Sequence, residues 1–126
     1  DGIVCASRDL GDYHCNSDFV CNLEIVKQNI FDGMDQIDSV TFRKGYFPDS
    51  FLEKSLKFCF VYSDTATYFG AKHTFKIFSD IIVSGGKIIF YFDDNCIGVK
   101  RAVEEFFGDP NFTVCCIGNF YIFTKR

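Results

Sequence analysis

Apolar residues along the chain follow two spacings, and the switches between them mark out its elements. Phe19, Leu23, Val26 and Ile30 recur at intervals of three and four. This predicts a helix capped by Asn16 or Ser17, with Asp18 near its positive end and Gly33 to stop it. Residues 1–16 show no clear period and are expected to be irregular. Ser39-Val40-Thr41-Phe42-Arg43-Lys44 alternates and is rich in β-branched and aromatic residues, so it reads as a strand, ended by Gly45 before a Phe47-Pro48-Asp49 turn. Phe51 to Leu56 suits a short helix. Lys57 to Ser63 reads as a further strand closed by Asp64. Tyr68, Ala71, Phe75, Phe78 and Ile82 then trace a second helix running to the Gly85-Gly86 pair.

The stretch Gly85-Gly86-Lys87-Ile88-Ile89-Phe90-Tyr91-Phe92-Asp93-Asp94 is apolar without alternation, as expected of a strand buried on both faces. Strand, helix, strand predicts a right-handed crossover within a parallel sheet, with Asp64 and the Asp93-Asp94 pair at the same edge of neighbouring strands. A third helix from about Gly98 to Phe107 would bury Val99, Val103 and Phe106 and pair Lys100 with Glu104 and Arg101 with Glu105 on its wet side. Phe112 to Ile117 and Tyr121 to Thr124 flank Gly118-Asn119, a hairpin signal, so the last two strands should be antiparallel. The fold class is α/β, and residues 1–126 form a single domain.

Composition narrows the function classes. The 126 residues carry a net charge of −4 and no polybasic run, which argues against a nucleic-acid partner. No apolar run reaches the roughly 20 residues that cross a bilayer, so no membrane partner is expected. Seventeen Phe and no Trp point to a densely aromatic interior. The seven cysteines are irregularly spaced; Cys59, Cys115 and Cys116 lie in apolar runs and read as reduced core residues, which leans towards a cytoplasmic location.

Three carboxylates converging at strand ends repel one another unless a cation or donors lie between them, and oxygen-only ligands suit Mg²⁺ or Ca²⁺. The alternative is that Asp64, Asp93 and Asp94 cap helices or shape turns. Other candidates have plainer readings. His14 and His73 read as surface or satisfied histidines, Cys96 as the thiol best placed for exposure, and Lys44 as a solvated cation. Gly85-Gly86 precedes a strand rather than a helix, the wrong order for a phosphate cradle.

Four blocks change the picture: Val40-Thr41-Phe42-Arg43-Lys44-Gly45-Tyr46-Phe47-Pro48-Asp49-Ser50, Asp64-Thr65-Ala66-Thr67-Tyr68, the Gly85 to Asp94 stretch, and Gly98-Val99-Lys100-Arg101-Ala102-Val103-Glu104-Glu105-Phe106-Phe107. In order and approximate spacing they resemble the macrocin O-methyltransferase (TylF-like) family over residues 17 to 107. The resemblance implies a Rossmann-like class I methyltransferase three-layer sandwich, with a mostly parallel sheet ending in an antiparallel hairpin. It also implies S-adenosylmethionine as methyl donor, a hydroxyl of a small molecule or sugar as acceptor, and Mg²⁺ held by Asp64, Asp93 and Asp94.

Two departures qualify that implication. Ala66 stands where the family has a second acid, a candidate base, and alanine accepts no proton. The glycine-rich turn after a first strand, which binds the cofactor in such folds, is not seen either. The chain is therefore expected to correspond to the C-terminal half of the family's fold, with S-adenosylmethionine bound only where an N-terminal half is supplied. The alternative expectation is a catalytically inactive structural subunit of a larger assembly. An uncovered sheet edge favours association, either as a homo-oligomer or with a protein partner.

Overall fold

The computed structural model describes residues 22–32, 40–53, 55–93 and 96–126. Its elements run α1 (Leu23–Phe31), β1 (Phe58–Ser63), α2 (Tyr68–Ile81), β2 (Ile82–Tyr91), α3 (Ile97–Glu104), β3 (Phe112–Ile117) and β4 (Phe120–Lys125). The strands form one sheet in the order β1-β2-β4-β3. β1 and β2 are parallel, because α2 carries the chain back between them, and the remaining pairings are antiparallel. The sheet thus starts with a parallel pair and ends in the expected hairpin, where Gly118 adopts the left-handed φ of 56° that the two-residue turn needs.

Core formation follows from the period-two pattern of the strands. Ile88 and Phe90 of β2, Phe123 and Tyr121 of β4, Phe112 of β3 and Val61 of β1 turn to one face, where Ala71 and Phe75 of α2 and Val99, Ala102 and Val103 of α3 close over them. The Phe75 ring stacks on Phe106 at 4.1 Å and meets Phe123 edge-on at 5.0 Å. Expected burial on both faces of β2 is realised on this face only. Ile89 and Tyr91 are half-buried, and on the same outer face Phe60, Tyr62, Ile117 and Phe120 are exposed. The physical reason is that α2 and α3 both pack on the inner face.

Several local expectations are corrected. The cap of α1 is Asn22, whose Oδ1 accepts from the Glu24 N–H at 2.9 Å. The proposed caps Asn16 and Ser17 lie outside the described residues, as do Phe19, Gly33 and His14. Val40 to Lys44 forms no strand, since β1 is paired only with β2 and the segment finds no ladder partner among the described residues. Arg43 instead pairs with Glu53 across the loop. Phe51 to Leu56 forms no helix among its described residues. The chain turns earlier, with Ser50 N–H bonded to Tyr46 O at 2.9 Å, and Phe51 joins the Phe58 and Phe78 rings at 6.0 and 5.0 Å.

Gly85-Gly86 does not separate helix from strand. α2 ends at Ile81, and β2 begins directly at Ile82, whose backbone is already extended. The glycines lie inside β2 at an irregularity: Phe58 pairs with Ile82 and Phe60 with Lys87, so Cys59 alone faces Val83 to Gly86. Gly85 takes a φ of 77° there, a conformation that costs other residues strain. The cysteines also exchange roles. Cys96 is buried at the start of α3, whereas Cys59, Cys115 and Cys116 are exposed free thiols near the rim of the sheet, beyond the cover of the helices.

Candidate functional site

Parallel pairing decides where the acids stand. Ser63, the last residue of β1, is level with Phe90 of β2, so Asp64 and Asp93 both leave the sheet at the same end, on adjacent strands. Asp64 is exposed and Asp93 half-buried, and Asp94 lies outside the described residues. Among the described residues no group of three His, Cys, Asp or Glu side chains is placed to hold a metal ion. The capping alternative fails for Asp64: α2 is capped by Thr67, whose Oγ1 accepts from Gly70 N–H at 3.1 Å. Asp93 contributes its carbonyl, accepting from Cys96 N–H at 3.0 Å, to the turn that leads into α3.

Behind Asp64 lies a chain of hydroxyls whose protons can be assigned. Thr74 on α2 donates to Gly70 O at 2.9 Å, and Ser63 Oγ donates to Thr74 Oγ1 at 3.3 Å. Each hydroxyl has one proton. At the 3.3 Å contact between Ser63 and Thr65, the donor is therefore Thr65. Two phenols flank the same strand ends on the outer face. Partial desolvation first, then the charges of Asp64 and Tyr91, hold the Tyr62 hydroxyl above its ordinary range.

Two adjoining hollows open here and share Phe47 and Thr65. One, of about 290 Å³, includes Asp64, Ser63 and Tyr62; the other, of about 260 Å³, is walled by Tyr46, Phe47 and Phe69. His73 lines the second hollow, stacked on Phe69 at 6.4 Å and 27°, and it is not brought to the acids. Ala66 is half-buried and packs against the core. Lys44 is exposed, as expected. The sequence reading missed the aromatic wall, although Tyr46-Phe47 and Phe69 bracket Asp64 at loop and helix-start positions, the only signal available.

The helices beside this end are locked together. Lys72 of α2 bonds Glu105 at 2.7 Å and Tyr68 Oη at 2.8 Å, and Tyr68 also donates to Glu105. Glu105 therefore turns to α2 rather than pairing along α3 with Arg101, whose charge acts on it only as a lesser influence. The bonds from Lys72 and then Tyr68 hold the Glu105 carboxyl below its ordinary 4.5. A depressed carboxylate contributes stability above 4.5 that is lost as pH falls through the folded value. Glu105→Gln is expected to lower the melting temperature by about 2–4 °C at pH 7. Below the folded value the difference from wild type should vanish. Thermal melts across the acid range check this, and an unchanged gap would sink the assignment.

No protein-family model matches the chain, and no curated protein matches it. Among solved structures it is similar to the structure of the O-methyltransferase NovP, with a TM-score of 0.75 and 20% sequence identity over 88% of this chain. The fold is methyltransferase-like. The chain spans 48% of the length of that neighbour. The finer resemblance to macrocin O-methyltransferases rests on the sequence blocks.

Proposed function

We propose that this domain serves an S-adenosylmethionine-dependent O-methyltransferase, and that the end of the sheet bearing Asp64 and Asp93 is its acceptor and metal side. The observation that carries the reading is the parallel register of β1 and β2, which brings both acids to one edge beside an open hollow in a methyltransferase-like fold. Asp64, Asp93 and Asp94 would hold Mg²⁺, a hard cation suited to carboxylate oxygens. When bound there, the ion supplies charge that favours the ionised form of an acceptor hydroxyl. The chain's own groups position that acceptor: the hydroxyl chain from Thr65 to Thr74 fixes the loop after β1, and the Lys72–Glu105–Tyr68 lock fixes α2 against α3.

A second reading, a methyltransferase-derived subunit without chemistry, is favoured by Ala66 and by the exposed apolar outer face of the sheet. Calorimetric titration separates the two. Mg²⁺ is expected to bind the chain with a heat signal that Asp93→Asn weakens at least tenfold, and S-adenosylmethionine is titrated in parallel. If neither binds, the enzyme reading fails for this chain and the subunit reading stands.

A further inference from the structure

We infer that the hollow walled by Tyr46, Phe47 and Phe69 binds an uncharged, planar aromatic compound and directs a hydroxyl of that compound towards Thr65 and Asp64. This narrows the acceptor class and rests on the reading of the β1 end as the acceptor side.

Size comes first. A hollow of about 260 Å³ has room for one or two fused rings. The walls come next. Phe69, in the first turn of α2, is 45% exposed although its ring is braced by Tyr68 at 5.3 Å and by His73, and Tyr46 opposite is 62% exposed. Braced rings with open faces gain about 0.5–1.5 kcal/mol from an aromatic partner beyond the area buried. A sugar can lay a C–H face on the same rings but has no π face of its own, so it forgoes the ring–ring contribution.

The polar groups then select the substituent. Thr65 has committed its proton to Ser63, so its oxygen offers lone pairs to the cleft. Thr67 Oγ1 accepts from Gly70 N–H and keeps its own proton to donate. An acceptor next to a donor matches a hydroxyl, which is both. Gly70 keeps these groups close: a Cβ on it would lie 2.8 Å from Thr65 Cβ and 3.0 Å from Thr67 Oγ1. Among the described residues neither hollow is lined by Lys or Arg, and Asp64 lines the adjoining one, so carboxylates and phosphates are disfavoured.

The test is titration of the 126-residue chain, without metal or methyl donor, using 2-naphthol, 2-naphthoate and methyl glucoside as probes, followed by amide chemical shifts. Saturable binding of 2-naphthol is expected, with shifts at Thr65, Thr67 and Phe69. The affinity for 2-naphthoate should be at least tenfold lower, and methyl glucoside should not saturate. Phe69→Ala and, independently, the loop variant Tyr46→Ala should each weaken 2-naphthol about tenfold. Equal binding of methyl glucoside, no binding of 2-naphthol, or indifference to both substitutions would overturn the inference. Because no metal or methyl donor is present, failure here is distinct from failure of the methyltransferase reading, which the Mg²⁺ titration reports.

Discussion

Phe123→Ala is expected to cost about 3–5 kcal/mol of stability. The ring is fully buried in β4 and lies against Phe75, Phe90, Phe107 and Phe112, with centroids 5.0, 5.9, 6.2 and 6.1 Å away. Truncation removes a ring packed between Phe75 of α2, Phe107 beyond α3 and the strand rings Phe90 and Phe112, and these neighbours belong to different elements that cannot all collapse into the void. Domains of this size are stable by only about 5–15 kcal/mol, so a large share of the total would go. Urea denaturation measures it. A loss under about 1 kcal/mol would mean that the aromatic cluster is loosely packed and that the inner face does not organise the fold as described.

Gly86→Ala is expected to cost about 2–3 kcal/mol, and Gly85→Ala less, about 1–2 kcal/mol. The two glycines are adjacent, yet the physics differs. A Cβ on Gly86 would sit 2.7 Å from Ile82 Cγ1, 2.8 Å from Val83 O and 3.0 Å from Cys59 O, and the carbonyls cannot move without disturbing the β1–β2 ladder. At Gly85 nothing among the described residues lies within 4 Å of a Cβ, and the left-handed φ of 77° is what resists a side chain. The ladder also sets the level of Asp64 relative to Asp93. Gly86→Ala should therefore disturb amide exchange along Phe60 to Ser63, whereas Gly85→Ala should lower stability and leave that pattern in place. Equal effects from the two substitutions would show that the irregularity carries no register information.

Much of the fold was legible because periodicity survives burial. Val99 and Val103, and Ala71 and Phe75, were singled out by spacing alone, and all are buried. The Gly118-Asn119 hairpin was legible because a two-residue turn demands a particular backbone. Val40 to Lys44 misled for a reason that no pattern contains, since alternation shows a willingness to pair and only the sheet supplies a partner. The thiols misled likewise. Cys59 and Cys115 sit in apolar runs yet are exposed, and Cys96, just past two acids in sequence, is buried where its N–H bonds back to the Asp93 carbonyl.

By itself the sequence determined the α/β class, the apolar faces of α2 and α3, the hairpin and the acids that close two parallel strands at one edge, because these depend on local propensity and residue spacing; that the core lies on one face of β2 only was decided by where the helices pack. Only the tertiary structure decided the register itself, with Ser63 level with Phe90 and an irregularity at Cys59, which sets the relative heights of Asp64 and Asp93 on the edge that the sequence predicted for them. It also decided that Glu105 turns to Lys72, that Gly86 is held by backbone from two strands, and that Tyr46, Phe47 and Phe69 wall a hollow. Each of these depends on groups distant along the chain becoming neighbours, and spacing along one strand or helix carries no record of what will lie across from it.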